Sequence, residues 1–561
     1  MRIKISVLLS LSLLPNLVLA KNVIDGESFG ANIHLRQRHV EEDWDDVLTL
    51  ADTYGITWAR EQFNWDVIEP TDDDAFNFDT YDAVIDTYEA HEIEVVGLLT
   101  YSSSWASDNP GAVDYEFYPP DLDAWSDYVE TVTEHYAGRI TYWEIWNEPN
   151  HASFWKGDES DYADLFNSAV TAAQAGNPDA KIVFGGLSGA DYAFLEDVLP
   201  LIDNVDDIAV MAIHPYSNYA PEVAADGVNT LTTDLYNVKA VLNRFEMTRT
   251  PIWLTEIGWQ TGTDGVANRT QAEYLTRAYT QALAIPDVEK IFWYSLVDAG
   301  SDFGLIDDDF VPKEAASALG FVAEELTGHW FKDQTLPGVK IMDNFVKSQG
   351  WHFAGTVCTE GSLDDNDNGK MTVRYRFTAD TNCYAPITLD KALPYNTRAL
   401  QFKVKGDNNS TALRVRVVDA TGETFQYNFG YLPKEWLYYT VQLTKPSSWW
   451  NGDGDGKLDQ PLTFDSFVLD DADGLQEKGT AQFDELLVSG RSQVYLYRFH
   501  QGTKDKYAYW STSRVRRLRI LLDGAGKIEE RIWRYEDKRH KSGDGYYWLR
   551  ARNAVTFLQT R

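Results

Sequence analysis

The amino-acid sequence predicts an α/β fold, a (β/α)8 TIM barrel followed by all-β accessory sandwich and jelly-roll domains. From Phe29 to about Gly328, short apolar runs alternate with longer helical stretches, which is the order of elements in a parallel barrel. After Gly328, short alternating runs rich in Thr, Val, Tyr, Asn, Asp and Gly predict antiparallel sheets. The 561 residues exceed the roughly 250 residues of one barrel, so we expect further domains.

Eight apolar runs are the predicted strands of the barrel. Helical stretches such as Glu42–Tyr54, Thr80–His91 and Asp121–Tyr136 lie between them. Eight strand–helix units favour a closed barrel over an open doubly wound sheet, which usually has fewer units and a glycine-rich turn after its first strand. The predicted strands are Phe29–His34, Thr57–Phe63, Val95–Tyr101, Thr141–Trp146, Lys181–Gly186, Ala209–His214, Pro251–Glu256 and Ile291–Leu296.

The second half of the chain predicts one β-domain inserted into another. The segments GHWFKD (328–333) and VYLYRFHQGTKDKYAYWS (494–511) have the pattern of strands, and they resemble strands of the small β-domain that accompanies many such barrels. Between them lies a longer series of strand-like runs that ends in FDELLVSG. We therefore predict a barrel over residues 21–327, an accessory β-domain over residues 328–342 and 491–561, and an inserted jelly roll over residues 343–490.

The first 20 residues have the pattern of a signal peptide. Arg2 and Lys4 precede the apolar run Ile5–Val18, and Val18-Leu19-Ala20 fits a cleavage site for small residues. We expect the protein to be secreted or periplasmic after residues 1–20 are removed. No later run is long and apolar enough to predict insertion into a membrane.

The charge of the chain excludes some partners. The net charge is −38, from 49 basic and 87 acidic residues, and a nucleic-acid partner would call for a basic surface instead. Residues 491–561 depart from this average with 17 basic and 7 acidic residues. Either this segment packs on the acidic barrel or it forms a patch for an anionic polysaccharide. The sequence does not set the oligomeric state.

The chain has two cysteines, Cys358 and Cys383. Export to an oxidising compartment favours a disulfide between them. Two buried free thiols remain the alternative at this point.

Two glutamates end predicted barrel strands, at the edge where such barrels hold their catalytic groups. The fourth run ends in WEIWNEPN (143–150) and places Glu148 just before a proline that cannot continue a central strand. The seventh run ends in WLTEIGW (253–259) and places Glu256 at the same edge. A pair of carboxyl groups that face one sugar can cleave a glycosidic bond, one as a proton donor and the other toward the anomeric carbon.

The stretches WNEPN (146–150) and LTEIGW (254–259) resemble the glycoside hydrolases of clan GH-A, the 4/7 superfamily. The resemblance extends over about residues 25–325 and is greatest to glycoside hydrolase family 39, a family that includes β-xylosidases. It implies a retaining enzyme in which Glu148 is the acid/base and Glu256 the nucleophile. It implies no cofactor in the chemistry and no metal at the active site.

The same resemblance implies roles for residues around the two glutamates. Arg60 would keep Glu256 ionised and Tyr216 would donate a hydrogen bond to it. Asn147 would bind the 2-hydroxyl of the sugar, His214 would line the subsite, and Trp293 would form a platform under the reacting sugar. A surface role for Arg60 and a core role for His214 are the alternatives.

Further residues are candidates with a weaker basis. Trp65 and Trp105 are candidate sugar platforms, because apolar sugar faces stack on aromatic rings, but simple packing explains them equally well. Glu144 lies on the same strand as Glu148, and we expect it to be a paired structural carboxylate.

The inserted domain resembles carbohydrate-binding jelly rolls. Its Trp449 and Trp450 fit either a sugar-binding surface or a buried pair. Its NGDGDGKLD loop (451–459) offers acidic ligands for a structural Ca²⁺, yet it lacks the acid that an EF-hand carries at its twelfth position. A plain turn is the favoured interpretation of this loop.

Together these features predict a secreted, endo-acting retaining glycoside hydrolase that cleaves β-linked polysaccharides or oligosaccharides. An exo-acting β-glycosidase such as a β-xylosidase is the nearest alternative. A non-catalytic polysaccharide-binding protein is the alternative from a different class. A transglycosylase would use the same covalent intermediate.

Overall fold

The computed structural model describes most of the chain from residue 23 onward. The predicted signal peptide, residues 1–20, lies outside the described residues. The segments that are also left undescribed are 73–74, 224–229, 286, 299, 336–339, 346–349, 367–368, 380–382, 408–409, 444–445, 472–477, 490–493, 513–515, 522–526, 533–534, 542–545 and 561.

Eight parallel strands close into a barrel in chain order, and the first strand pairs with the eighth. The predicted TIM barrel is therefore confirmed, and most predicted strands match the observed ones to within one or two residues. The strands are β1 (Phe29–Asn32), β2 (Trp58–Asn64), β3 (Glu94–Thr100), β4 (Tyr142–Asn147), β5 (Lys181–Ser188), β6 (Ile208–His214), β7 (Ile252–Ile257) and β8 (Val288–Tyr294).

Amphipathic helices cover the outside of the barrel. Helix α5 shows why: Trp125, Tyr128, Val129 and Val132 recur at helical spacing and are buried, and the side chain of Asp121 caps the first turn. The helices are α1 (Leu35–Arg38), α2 (Trp44–Thr53), α3 (Trp65–Ile68), α4 (Asp79–Ala90), α5 (Leu122–His135), α6 (Glu159–Gly176), α7 (Tyr192–Val198), α8 (Leu231–Arg244), α9 (Asn268–Ala282) and α10 (Glu314–Leu326). Among the described residues, none of these helices is long and apolar enough to cross a bilayer.

The interior of the barrel is a packed core of its own. Trp58, Val183, Val210, Trp253 and Phe292 form one buried cluster, apart from the larger cluster that the strands share with the helices. Side chains of alternate strand residues fill the barrel in this way. The packed interior leaves the rim where the strands end as the expected place for a functional site.

Twenty antiparallel strands follow the barrel in the part of the chain that the structure describes. They are β9 (Trp330–Thr335), β10 (Lys340–Asp343), β11 (His352–Phe353), β12 (Thr359–Asn366), β13 (Lys370–Phe377), β14 (Tyr384–Ala392), β15 (Ala399–Gly406), β16 (Thr411–Val418), β17 (Glu423–Tyr431), β18 (Leu437–Gln442), β19 (Ser448–Asn451), β20 (Thr463–Asp471), β21 (Lys478–Ser489), β22 (Val494–Gln501), β23 (Lys504–Ser511), β24 (Arg516–Leu521), β25 (Lys527–Ile532), β26 (Tyr535–Lys541), β27 (Tyr546–Ala551) and β28 (Thr556–Thr560).

Two six-stranded sheets form a sandwich in the middle of this region. One sheet has the order β12-β13-β21-β15-β18 with β10 beside β21, and the other has the order β11-β14-β20-β16-β17-β19. The alternate residues of strand β16, Leu413, Val415 and Val417, are buried in the core between the sheets. The Cys358–Cys383 disulfide is present in this sandwich, which confirms the predicted pairing.

A third sheet contains strands that precede the sandwich in the chain and strands that follow it. Its order is β26-β25-β28-β23-β22-β9, so the strand before the sandwich pairs with a strand after it. Strand β10 pairs with β21 of the sandwich, whereas the sequence predicts residues 340–342 in the accessory domain. The domain boundaries themselves stay a prediction.

Basic residues of the last segment pair with acids of the barrel helix α10. Arg531 contacts Glu324 at 2.8 Å and also contacts Glu325, and Lys506 lies 2.9 Å from Glu325. These ion pairs support the simpler explanation of the basic segment, namely that it packs on the acidic barrel.

Candidate active site

The ends of strands β4 and β7 bring the two predicted catalytic glutamates to the same rim. Glu148 follows directly after β4 and has a left-handed backbone (φ 47°), and its N–H donates to the carbonyl of Gly186 at 2.9 Å. Glu256 lies within β7 (Ile252–Ile257). Both side chains are largely buried, each about 12% exposed.

His214, at the end of β6, lies between the two glutamates. Its Nδ1 is 3.0 Å from Glu148 Oε1 and 4.0 Å from Glu256 Oε2, and its Nε2 is 3.1 Å from the hydroxyl of Thr255. Because both oxygens are near one nitrogen, they are at most about 7 Å apart. That bound includes the roughly 5–5.5 Å separation of retaining glycosidases.

Arg60 is the fixed cation of this cluster. It is fully buried and donates to Glu256 Oε1 at 2.6 Å, to Glu144 at 2.7 and 3.1 Å, and to Asn147 Oδ1 at 3.0 Å. A planar guanidinium serves several carboxylates in this way. The structure thus places Arg60 where the sequence predicts it and shows that it also orders Glu144 and Asn147.

Tyr216 holds the other oxygen of Glu256. The tyrosine is 37% exposed, yet its hydroxyl donates to Glu256 Oε2 at 2.8 Å. Burial, together with the neighbouring charge of Glu256, raises the pKa of Tyr216 well above its usual value. The hydroxyl therefore keeps its proton and remains a donor at any working pH.

These contacts keep Glu256 ionised. Burial by itself would raise the pKa of Glu256, but the electrostatic attraction of His214 and Arg60 and the Tyr216 hydrogen bond lower it below the usual value of 4.5. An ionised carboxylate is what a nucleophile at this position requires.

Glu144 is a structural carboxylate that braces the site from below. Besides its two contacts with Arg60, its Oε1 accepts the backbone N–H of Gly186 at 2.8 Å. A Cβ at position 186 would lie 2.1 Å from His214 Nε2 and 2.7 Å from Glu144 Oε1. Only glycine therefore allows these two side chains to approach the β5 backbone.

Trp293 does not take the predicted platform position. It is fully buried, packs beside Trp259 and donates its indole N–H to the carbonyl of Phe303 at 3.0 Å. The next residue on β8, Tyr294, points to the other side, because side chains alternate along a strand. The rings of Tyr294 and Tyr216 make a T-shaped contact, so Tyr294 rather than Trp293 lies beside the cluster.

Trp65 and Trp105 also lie apart from the glutamates. Trp65 is fully buried, stacks on Tyr128 and donates to Glu69 Oε2 at 2.8 Å. Trp105 contacts the edge of Trp65 and borders a groove whose described lining residues include neither glutamate. Simple packing, the alternative to a sugar platform, explains the position of Trp65. Trp105 is half-buried and is not part of the catalytic cluster.

Several residues of the site carry no signal in the sequence. Asn32 on β1 accepts from Arg60 at 3.2 Å and donates to the carbonyl of Thr255 at 2.8 Å. Arg38 donates to the hydroxyl of Tyr294 at 2.5 Å. Asn32 ends β1, a position that could have singled it out, whereas Arg38 lies on helix α1 and not at a strand end.

The chemical capacity of the cluster follows from its parts. One carboxylate is held as an anion by a buried arginine and a tyrosine. A second carboxylate, from the opposite side of the barrel, is linked to it through one histidine. This arrangement suits acid/base and nucleophilic attack on two sides of one bond.

Residues 31–295 match the sequence profile described as "Glycosyl hydrolases family 39". This range contains strands β2 to β8, the second half of β1 and every residue of the cluster above.

Curated proteins that are similar to the chain match it over about half its length or less. The chain is 23% identical over 306 residues to the "Anti-sigma-I factor RsgI6" of Acetivibrio thermocellus, which covers 50% of this chain and 36% of that protein. It is 21% identical over 280 residues to a "Beta-xylosidase" of Geobacillus stearothermophilus, which covers 44% of this chain and 56% of that protein. The chain therefore spans only part of the length of either relative.

A solved structure shares the overall fold. It is described as a family 39 glycoside hydrolase from the gut symbiont Bacteroides cellulosilyticus WH2, with a TM-score of 0.57 and 17% identity. The match covers 96% of this chain and 82% of that one.

Proposed function

Because residues 31–295 match the profile of glycosyl hydrolase family 39, we propose that the protein is a retaining glycoside hydrolase that cleaves β-glycosidic bonds by double displacement. The observation that carries this proposal is the shared contact of Glu148 and Glu256 with His214. It supports two carboxyl groups converging on one sugar from opposite walls of the barrel.

In the first step, Glu256 attacks the anomeric carbon while Glu148 gives its proton to the leaving oxygen. The glycosidic C–O bond breaks, and an ester bond forms between the sugar and Glu256. Arg60 and Tyr216 hold the two oxygens of Glu256 before the attack, so little reorganisation is needed during the reaction.

In the second step, water replaces the leaving group. Glu148, now without its proton, takes one from the water, whose oxygen attacks the anomeric carbon and releases Glu256 as a carboxylate. The anomeric configuration is inverted twice and therefore retained. Asn147 is held by Arg60 beside the position that we assign to the 2-hydroxyl.

The first experiment replaces each glutamate by its amide. We expect both Glu148→Gln and Glu256→Gln to lower kcat/KM by at least about 10³-fold on a substrate found by a polysaccharide screen. Glu94→Gln, at the opposite and exposed end of β3, is the matched control and should keep wild-type activity. Full activity in either active-site variant would refute the proposal, and would favour a barrel that only binds polysaccharide.

The second experiment separates retention from inversion. An activated 2-deoxy-2-fluoro glycoside should add one sugar mass to the wild-type protein, because the fluorine slows hydrolysis of the ester. The Glu256→Gln variant should not gain this mass. First-formed products with the opposite anomeric configuration by NMR would contradict double displacement.

For the substrate we propose a β-linked polysaccharide attacked within the chain. The large sandwich beside the barrel motivates this choice, since such modules often hold polymers. Mixed oligosaccharides as first products would support it, and monosaccharide alone would contradict it.

The alternative, an exo-acting β-xylosidase, is favoured by the similarity to the β-xylosidase of Geobacillus stearothermophilus. Release of xylose from the ends of β-xylooligosaccharides, without shorter internal fragments, would identify this alternative.

We also propose export from the cell, on the pattern of residues 1–20. The protein recovered outside the cytoplasm should begin at Lys21 by N-terminal mass spectrometry. Recovery of an intact Met1 terminus in the cytoplasm would contradict this proposal.

A further inference from the structure

We infer that the sandwich binds a divalent cation of the Ca²⁺ type at Glu423, Asp453 and Asp455. One carboxylate oxygen from each residue lies within 4.8 Å of the others. Asp453 and Asp455 belong to the 451–459 loop, and Glu423 is the first residue of strand β17. Calcium prefers such hard oxygen ligands, and carboxylates above all.

The buried Glu423 is the observation that points to a ligand. Its side chain is fully buried (0% exposed), and its Oε2 has no hydrogen-bond partner among the described residues. The other oxygen accepts only a long bond, 3.4 Å, from the N–H of Gly456. A buried carboxylate oxygen without a donor is costly, and two more carboxylates beside it add repulsion. A cation among the three removes both costs.

The nearby lysine does not neutralise the buried charge of Glu423. Lys457 pairs with Asp455 at 2.7 Å, but both side chains are exposed to solvent. Within the described part of the chain, no lysine or arginine forms an ion pair with Glu423 or Asp453. One exposed lysine thus offsets one of the three charges and leaves the buried one uncompensated.

The backbone of the loop brings the acids to Glu423. A Cβ on Gly452 would lie 2.4 Å from the Glu423 nitrogen, so this backbone passes directly over β17. Asp419 fastens the far end of the loop, because its Oδ2 accepts the N–H of Asp459 at 3.1 Å while its Oδ1 accepts that of Glu423 at 2.9 Å. Asp419 is therefore a brace with its own donors.

A cation here would stabilise the edge of the sandwich. Strand β19 (Ser448–Asn451) pairs with β17 and leads directly into the loop. It carries Trp449 and Trp450, which are 49% and 37% exposed. The bound ion would tie this exposed strand to β17, which belongs to the body of the sheet.

The test begins with the full-length protein stripped of metal by EDTA and dialysed. We expect added CaCl₂ to bind in about a 1:1 ratio by isothermal titration calorimetry. It should also raise the Tm by on the order of 5 °C when free calcium is about 100-fold above Kd. Mg²⁺ should give a clearly smaller shift, because it sheds its water less readily.

The variants Glu423→Gln and Asp453→Asn/Asp455→Asn should lose most of the calcium response. In EDTA, however, both should have a Tm equal to or above that of the wild type, because they remove repulsion. If the acids were only structural, the variants would be less stable in EDTA. The control is Asp308→Asn/Asp309→Asn, in an exposed barrel loop. It removes two negative charges, as Asp453→Asn/Asp455→Asn does, and should keep the full calcium response.

Three results would overturn the inference. The first is a wild-type protein that shows neither binding heat nor a Tm shift with calcium. The second is an equal calcium response in the Asp453→Asn/Asp455→Asn variant, which would indicate diffuse binding to an acidic surface. The third is an equal shift with Mg²⁺, which would contradict a site of the Ca²⁺ type.

Discussion

At the scale of single residues, the electrostatics of Glu256 decides the chemistry. Its two oxygens have different partners, Arg60 at 2.6 Å and Tyr216 at 2.8 Å, and His214 approaches from a third side. These contacts outweigh burial and lower the pKa of Glu256. Glu256 therefore stays ionised to a lower pH than an isolated glutamate, as the proposed role of nucleophile requires.

The variant Tyr216→Phe removes one of these contacts. The pKa of Glu256 should then rise toward its usual value of 4.5, because the carboxylate loses a donor. A nucleophile is active when ionised, so the acidic limb of the pH profile of kcat/KM should move to higher pH. We expect kcat/KM at the optimum to fall roughly 10- to 100-fold. Tyr219→Phe, on the same loop, is the control. An unmoved acidic limb would contradict the assigned role of Tyr216.

A second comparison concerns the two aromatic residues Trp65 and Tyr294. Trp65→Phe should lower the free energy of unfolding by about 1–3 kcal/mol, because it removes buried volume and the indole hydrogen bond to Glu69, while kcat/KM stays near wild type. Tyr294→Ala should instead lower kcat/KM by about 10-fold at little cost in stability. Chemical denaturation and steady-state kinetics on both variants test this. The opposite pattern would restore Trp65 as a sugar platform.

At the scale of elements, the features that matter for function and stability lie near the ends of strands, both in the barrel and in the sandwich. The site comes from residues on or near strands β1, β2, β4, β6, β7 and β8. In the sandwich, the disulfide joins Cys358, just before β12, to Cys383, just before β14. It closes a loop with a sequence separation of 25 residues and links strands of opposite sheets.

Replacement of both cysteines, Cys358→Ser/Cys383→Ser, should destabilise the sandwich by about 2–4 kcal/mol, mainly because the unfolded chain gains freedom. Activity on a small soluble substrate should not change, since the barrel is untouched. Denaturant unfolding followed by circular dichroism measures the stability. A wild-type protein treated with a reducing agent should behave like the variant. No difference between the oxidised protein and the variant would contradict this prediction.

At the scale of the whole molecule, the net charge of −38 is unevenly distributed. The basic last segment pairs with acids of α10, through Arg531 and Lys506. On the other side, Trp510 of β23 donates to Glu222 at 2.7 Å, a carboxylate that also pairs with Arg277 of the barrel. The accessory sheet is thus joined to the barrel by polar contacts, and excess negative charge remains elsewhere.

Because this excess charge repels itself, salt should stabilise the protein. Between about 10 mM and 500 mM NaCl, the Tm at pH 7 should rise by on the order of 3–5 °C, since the Debye length falls well below the distance between surface charges. Near the isoelectric point (pI ≈ 4.5) the gain should shrink. Differential scanning calorimetry measures both. An equal gain at both pH values would point to a cause other than charge.

The local sequence alone determined the barrel and its two glutamates. Strand periodicity fixed the eight strands, because apolar runs of this length and spacing are compatible with few folds. The asparagine and proline around Glu148 marked the end of β4, and the WLTEIGW stretch placed Glu256 on β7. These features are local in the sequence, so they can be recognised without knowing which distant residues contact each other.

Contacts between distant strands were decided only by the tertiary structure. On β8, the family resemblance implied a platform role for Trp293, but in the structure Tyr294 contacts Tyr216 and Trp293 is buried. Which of two neighbouring side chains faces the site depends on how the strand is placed in the barrel. In the sandwich, the loop acids Asp453 and Asp455 acquire a third partner, Glu423, from a strand about 30 residues away. The physical reason is the same in both cases: a site is defined by side chains that converge in space, and convergence depends on sheet pairing that no local pattern encodes.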